Sequence, residues 1–189
     1  MLHEYAHALV STWLGDPTPQ MQGRLTVQPL AHIDWIGMLM LWLFRFGWAR
    51  PVPIDPRYYR NPRLGLVLVA VAGPAMNVLI ALVSLVVWQR IPWPPVPWGD
   101  AAALVLRLCL VYNLFFAVFN ILPIPPLDGS RVLSAVSREG ARLMQTVEPW
   151  GWVLLIVLIL SGVLGAILVP MASLLYGVLN ALVGVGGLL

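Results

Sequence analysis

Charge is scarce in this chain. Only 10% of its 189 residues are Asp, Glu, Lys or Arg, and 60% are hydrophobic, whereas a soluble domain carries about 25% charged residues. That deficit excludes an ordinary water-soluble domain, which would lack the polar surface to cover its core. Lysine is absent, so all 11 basic residues are arginine. The single cysteine, Cys109, rules out an internal disulfide. Repeats and low-complexity tracts are also missing. The net charge of +3 is read as a matter of topology, and no nucleic-acid partner is expected.

What is present is a series of apolar runs separated by proline and glycine. The first, residues 1–14, stops at Gly15-Asp16-Pro17. Residues 24–28 alternate polar and apolar and predict a short strand. Residues 35–48 are apolar but too short to span, which predicts a re-entrant or interfacial segment with Trp35, Trp42 and Trp48 at headgroup level. Residues 64–91 form a long span interrupted by Gly73-Pro74, and 101–122 form a second that stops at Pro123. A surface helix is expected over 129–144, a further clean span over 150–168, and a last membrane segment over 171–189. The fold class is therefore an all-α, multi-pass membrane protein in contact with lipid, with a small β element and a re-entrant segment after the first helix. Arg24, Arg45, Arg50, Arg57, Arg60, Arg63, Arg131, Arg138 and Arg142 fall on one side of this arrangement, and only Arg90 and Arg107 at the other end. Arginine excess marks the cytoplasmic side.

His3-Glu4-Tyr5-Ala6-His7 is an HExxH sequence on a predicted helix. Residues i and i+4 share a face, so both imidazoles can reach one metal ion, with Glu4 placed to take a proton from metal-bound water. Three ionisable side chains in five residues of a membrane helix are costly and point to function. Catalytic zinc usually takes three protein ligands and keeps an open position. The candidates for the third are Asp16, His32, Asp34, Asp55 and Asp128. Asp128 is the strongest, because it follows a helix break on the side where the first helix leaves the membrane. Its competing reading is an N-cap for the helix that begins near Gly129. Asn77, just past Gly73-Pro74, is polar and deep in an apolar span, either as a substrate-binding or oxyanion group or as interhelical glue. Asn113 and Asn120 carry the same two readings, and Asn120 is favoured by its closeness to Asp128. His32, near Asp34, is read as one of a pair supporting a metal ligand, an alternative ligand or a structural loop histidine.

Together these segments resemble the site-2 protease family of intramembrane metalloproteases. HEYAH resembles its zinc-binding motif, GPAMN its GPxxN element, and NILPIPPLDG its NxxPxxxLDG element, whose aspartate is the third zinc ligand. GDPTP, GRLTVQP, HIDWIG and FGWARPVPIDP are similar to the short bacterial and archaeal branch without regulatory domains. The resemblance implies one Zn2+ per chain held by His3, His7 and Asp128, with Glu4 as catalytic base and Asn77 and Asn120 as substrate-binding residues. It also implies a single membrane-embedded peptidase domain over 1–189 in the cell membrane, its active site towards the cytoplasm. The substrate would be a transmembrane segment of another protein, hydrolysed by a zinc-activated water. The alternatives are a metal transporter, disfavoured because the candidate ligands cluster towards one side, and an inactive scaffold, disfavoured by the presence of Glu4. Members of the family carry more helix before HExxH, so the domain is expected to lack the start of its first helix, and the native chain to begin upstream of Met1.

Overall fold

The computed structural model describes residues 1–44, 47–94 and 96–185. Arg45 and the end of the last expected segment, residues 186–189, lie outside the described residues. Among these, the chain is helical: α1 (Leu2–Trp13), α2 (Thr18–Met21), α3 (Trp35–Phe44), α4 (Pro62–Arg90), α5 (Pro97–Asn120), α6 (Asp128–Val136), α7 (Arg138–Val147), α8 (Gly151–Leu160) and α9 (Val163–Val185). Four helical stretches are long and apolar enough to cross a membrane, Pro62–Arg90, Trp98–Asn120, Arg138–Leu160 and Val163–Gly184. The chain is a multi-pass membrane protein.

α4 is the axis of the fold. Asn61 caps its start by accepting from the Leu64 amide at 3.2 Å, and Pro62 occupies the first turn, where no N–H is needed. Its C-terminal half packs with α5 and α9 through Ala81, Leu85, Leu110, Leu114, Ala172 and Leu179. At its far end Gln89 donates to Asn180 (2.8 Å) and Arg90 to the Val183 carbonyl (3.1 Å), so α9 runs parallel to α4. A second cluster, Leu122, Leu127, Leu155 and Leu164, anchors α8 and the start of α9 to the break after α5. α3 is apolar with most of its side chains exposed, including Trp35, Ile36, Leu41 and Trp42. A helix of that kind needs a non-aqueous surrounding.

Three expectations are corrected. No strand forms over 24–28; among the described residues, pairing is confined to one antiparallel bridge, Ile33 with Ala49. The alternating pattern there serves other ends. Arg24 turns inward and donates to the carbonyls of Arg50 and Pro51, Thr26 Oγ1 takes the Gln28 amide at 3.1 Å, and Pro29 starts a short 3-10 turn. The span over 150–168 is divided. α8 stops at Leu160, and the helix is interrupted at Gly162, whose φ of +76° favours glycine, so the last span begins at Val163. The surface helix over 129–144 is likewise divided at Ser137, whose hydroxyl accepts from the Gly140 amide (2.7 Å) and starts α7 afresh.

Candidate metal centre

Three side chains from distant parts of the sequence converge. His3 and His7 stand on one face of α1, one turn apart, and Asp128 opens α6. His7 Nε2 lies 3.0 Å from His3 Nε2, and Asp128 Oδ2 lies 3.1 Å from His3 Nε2 and 3.2 Å from His7 Nε2. The two rings meet edge to face at 84°, with centroids 4.6 Å apart. His7 is 6% and Asp128 9% exposed, and His3 is half-buried.

This triangle fits a metal ion. Tetrahedral zinc with bonds of about 2.0–2.2 Å separates its ligand atoms by about 3.3–3.6 Å, a few tenths of an ångström more than the 3.0–3.2 Å edges here. His3, His7 and Asp128 would hold such an ion, and three protein ligands would leave room for a water. The donor set of two imidazoles and one carboxylate is also that of a catalytic zinc site.

α4 supports both histidines from behind. His7 Nδ1–H donates to the Val69 carbonyl at 2.6 Å, which fixes its tautomer and leaves the Nε2 lone pair on the site. Asn77 places its amide 3.1 Å from His3 Nδ1. Midway between Val69 and Asn77, on the same face, is Gly73. A Cβ there would lie 2.4 Å from His7 Nε2 and 2.6 Å from His3 Nε2. Pro74 lies inside the same helix and offers no N–H to the Ala70 carbonyl, one residue beyond Val69.

Asp128 is delivered by a short, tightly folded break. Leu122 N–H donates to Phe119 O (3.2 Å), Leu127 N–H to Ile124 O (2.8 Å), and Ser130 Oγ to Leu127 O (2.6 Å). Gly129 lets α6 start against the end of α5, since a Cβ there would lie 2.1 Å from the Ile121 carbonyl oxygen. The N-cap of α6 is Leu127, so Asp128 is the first helical residue and its carboxylate faces the histidines instead of capping its own helix.

The other candidates are committed elsewhere. Asp16 is fully buried and accepts from Ser11 Oγ (2.8 Å), the Thr18 amide (2.9 Å) and the Asp55 amide (2.8 Å), tying the end of α1 to the loop before α4. His32 Nε2–H donates to the Thr26 carbonyl at 2.8 Å. Asp34 accepts the Gly37 amide at 2.8 Å, and Asp55 pairs with Arg57 at 2.6 Å. Asn120 and Asn113 each donate to their own helix, at Phe116 O (3.0 Å) and Cys109 O (2.8 Å). Glu4 is half-buried and its carboxylate makes no hydrogen bond among the described residues. The roles of Gly73 and of the Val69 carbonyl were not read from the sequence. The available signal was a glycine immediately before a helix-interior proline, which reads as a break but also marks a close approach.

Residues 96–162, which include Asn120 and Asp128, match the model of peptidase family M50. YwhC of Bacillus subtilis, which carries a zinc metalloprotease name, is 35% identical over 177 residues, covering 91% of this chain and 81% of YwhC. Rip2 of Mycolicibacterium smegmatis, also under a zinc metalloprotease name, is 28% identical over 169 residues, covering 85% of this chain and 62% of Rip2. No solved structure gives a significant match. A likeness to YwhC that runs through nine-tenths of this chain, together with the family match around Asp128, establishes that the chain belongs to peptidase family M50, the site-2 protease family.

Proposed function

We propose that this peptidase is an intramembrane zinc metalloendopeptidase that hydrolyses peptide bonds in transmembrane segments of other proteins, with one zinc ion held by His3, His7 and Asp128. The observation that carries the reading is the triangle of ligand atoms with edges of 3.0–3.2 Å, assembled from residues 125 positions apart. Depth supports the intramembrane part. α4 has 29 residues, about 43 Å at roughly 1.5 Å per residue, against a hydrocarbon core of about 30 Å. If α4 is centred in that core, Gly73 and the rings packed on it lie about 10 Å inside the nearer boundary. The arginine distribution supports reading that boundary as the cytoplasmic one of the cell membrane.

When bound, zinc would act as a Lewis acid towards the scissile carbonyl and lower the pKa of water to about 7. The chain's own residues do the rest. Glu4, next to His3 and with no carboxylate hydrogen bond among the described residues, takes the proton of the attacking water and returns it to the leaving amine. The Val69 carbonyl holds the His7 ring in the tautomer that presents Nε2. Asp128 contributes the negative charge that balances a cation in a low-dielectric setting. The substrate helix must unwind locally, because its peptide groups are otherwise hydrogen-bonded within the helix.

The test uses purified protein in detergent or liposomes, with metal analysis and cleavage of a transmembrane substrate. Glu4→Gln is expected to keep its zinc and lose at least about a hundredfold in activity, the scale of general acid–base catalysis. Asp128→Ala is expected to lose zinc as well as activity. Activity of Glu4→Gln within tenfold of wild type would remove Glu4 as the base, and stoichiometric zinc in Asp128→Ala would remove the ligand set.

A further inference from the structure

We infer that Asn77 is a positioning residue for the metal ligand His3 and not a substrate-binding group, an assignment that rests on the proposed metal centre. Its side chain is 4% exposed, and its amide nitrogen lies 3.1 Å from His3 Nδ1. Asn77 therefore faces the back of the imidazole, on the side away from Asp128. An amide so placed is turned from any polypeptide reaching the open face of the ligand triangle.

A metal ion on Nε2 needs the tautomer with the proton on Nδ1. Nδ1–H then needs an acceptor, and Asn77, whose amide lies 3.1 Å away, offers one through Oδ1, since the two ends of an asparagine amide are nearly the same size and either can face the ring. Aspartate would serve that tautomer as well, and leucine would not.

Val69 and Asn77 are two helical turns apart on one face of α4, and each holds the Nδ1 of one histidine. Gly73 lies between them and leaves the space the rings occupy. α4 therefore aligns both imidazoles from a single helix face. His7 relies on a backbone carbonyl, which substitution of Val69 leaves in place. His3 relies on a side chain, so its orientation can be removed by mutation.

The experiment measures zinc affinity by competition with a chromophoric chelator, and KM and kcat separately, for wild type, His3→Ala, Asn77→Ala, Asn77→Leu and Asn77→Asp. Partners of metal-bound histidines cost about 10–100-fold in affinity when removed. Asn77→Ala and Asn77→Leu are expected to lose zinc affinity on that scale, and Asn77→Asp to stay within about threefold of wild type or bind more tightly. The affinity of the Asp variant keeps the test decisive if the Ala variant folds poorly. A raised KM with unchanged zinc affinity in Asn77→Ala would overturn the inference in favour of substrate binding. Wild-type affinity in Asn77→Leu would overturn it in favour of packing. Undiminished zinc affinity in His3→Ala would instead defeat the metal centre itself, a result distinct from either.

Discussion

Replacing Gly73 with alanine separates the needs of the helix from the needs of the site. The new Cβ would lie 2.4 Å from His7 Nε2, 2.5 Å from His3 Cε1 and 2.6 Å from His3 Nε2. Carbon contacts relax at about 3.5–4.0 Å, so the rings must retreat by about 1 Å, or α1 must move away from α4. Functional constellations tolerate about 0.5 Å. The ligand triangle therefore opens beyond what one ion can bridge. The helix itself is expected to gain, since alanine is favoured over glycine by roughly 1 kcal/mol in a helix interior, while overpacking costs about 1–3 kcal/mol. The two nearly cancel, so stability measured in the presence of a chelator is expected to change by less than about 2 kcal/mol. Zinc affinity, read by competition with a chromophoric chelator, is expected to fall by at least about a hundredfold, the upper range for losing a ligand's support. Zinc binding by Gly73→Ala within about threefold of wild type would refute the packing of both imidazoles on this position.

Acid stability and topology provide two further tests. Burial raises the Asp16 carboxyl pKa, but the donors from Thr18, Asp55 and Ser11 more than offset this and hold it below its ordinary value. Its folded pKa is depressed, so its contribution is complete above about pH 4 and is lost as pH falls through the folded value. Asp16→Asn should therefore melt below wild type at pH 6, with the gap closing under acid; a gap independent of pH between 6 and 3 would contradict this. For topology, single cysteines replacing Arg60 or Arg138 in a Cys109→Ser background should label from the cytoplasm, and one replacing Trp93 from the opposite side. Cytoplasmic labelling at Trp93 would overturn the orientation and the depth derived from it.

Membrane class and the composition of the candidate site were legible in the sequence because both are local properties. An apolar run long enough to span declares itself by length, and HExxH places two imidazoles on one helix face by the period of the helix alone. Asp128 was legible in kind, as a carboxylate after a helix break, but the same residue type also caps helices. Only the packing of α6 on α4, with Leu127 as the cap, turned its side chain towards the histidines. Local pattern misled at residues 24–28, where alternation promised a strand that Arg24, Thr26 and Pro29 divert into turns. It misled again at Ser161-Gly162, two residues hidden in an apolar run that hydropathy cannot distinguish from a continuous span. The support behind the site is of another kind. The Val69 carbonyl has no side-chain signature, Gly73 acts through the absence of an atom, and Asn77 takes its role from a ring 74 residues away. The sequence by itself determined which groups could bind an ion and that the chain is a membrane protein. The tertiary structure alone decided that they meet, because a triangle with 3 Å edges depends on how α1, α4 and α6 pack, and packing is set by contacts between residues that no local period relates.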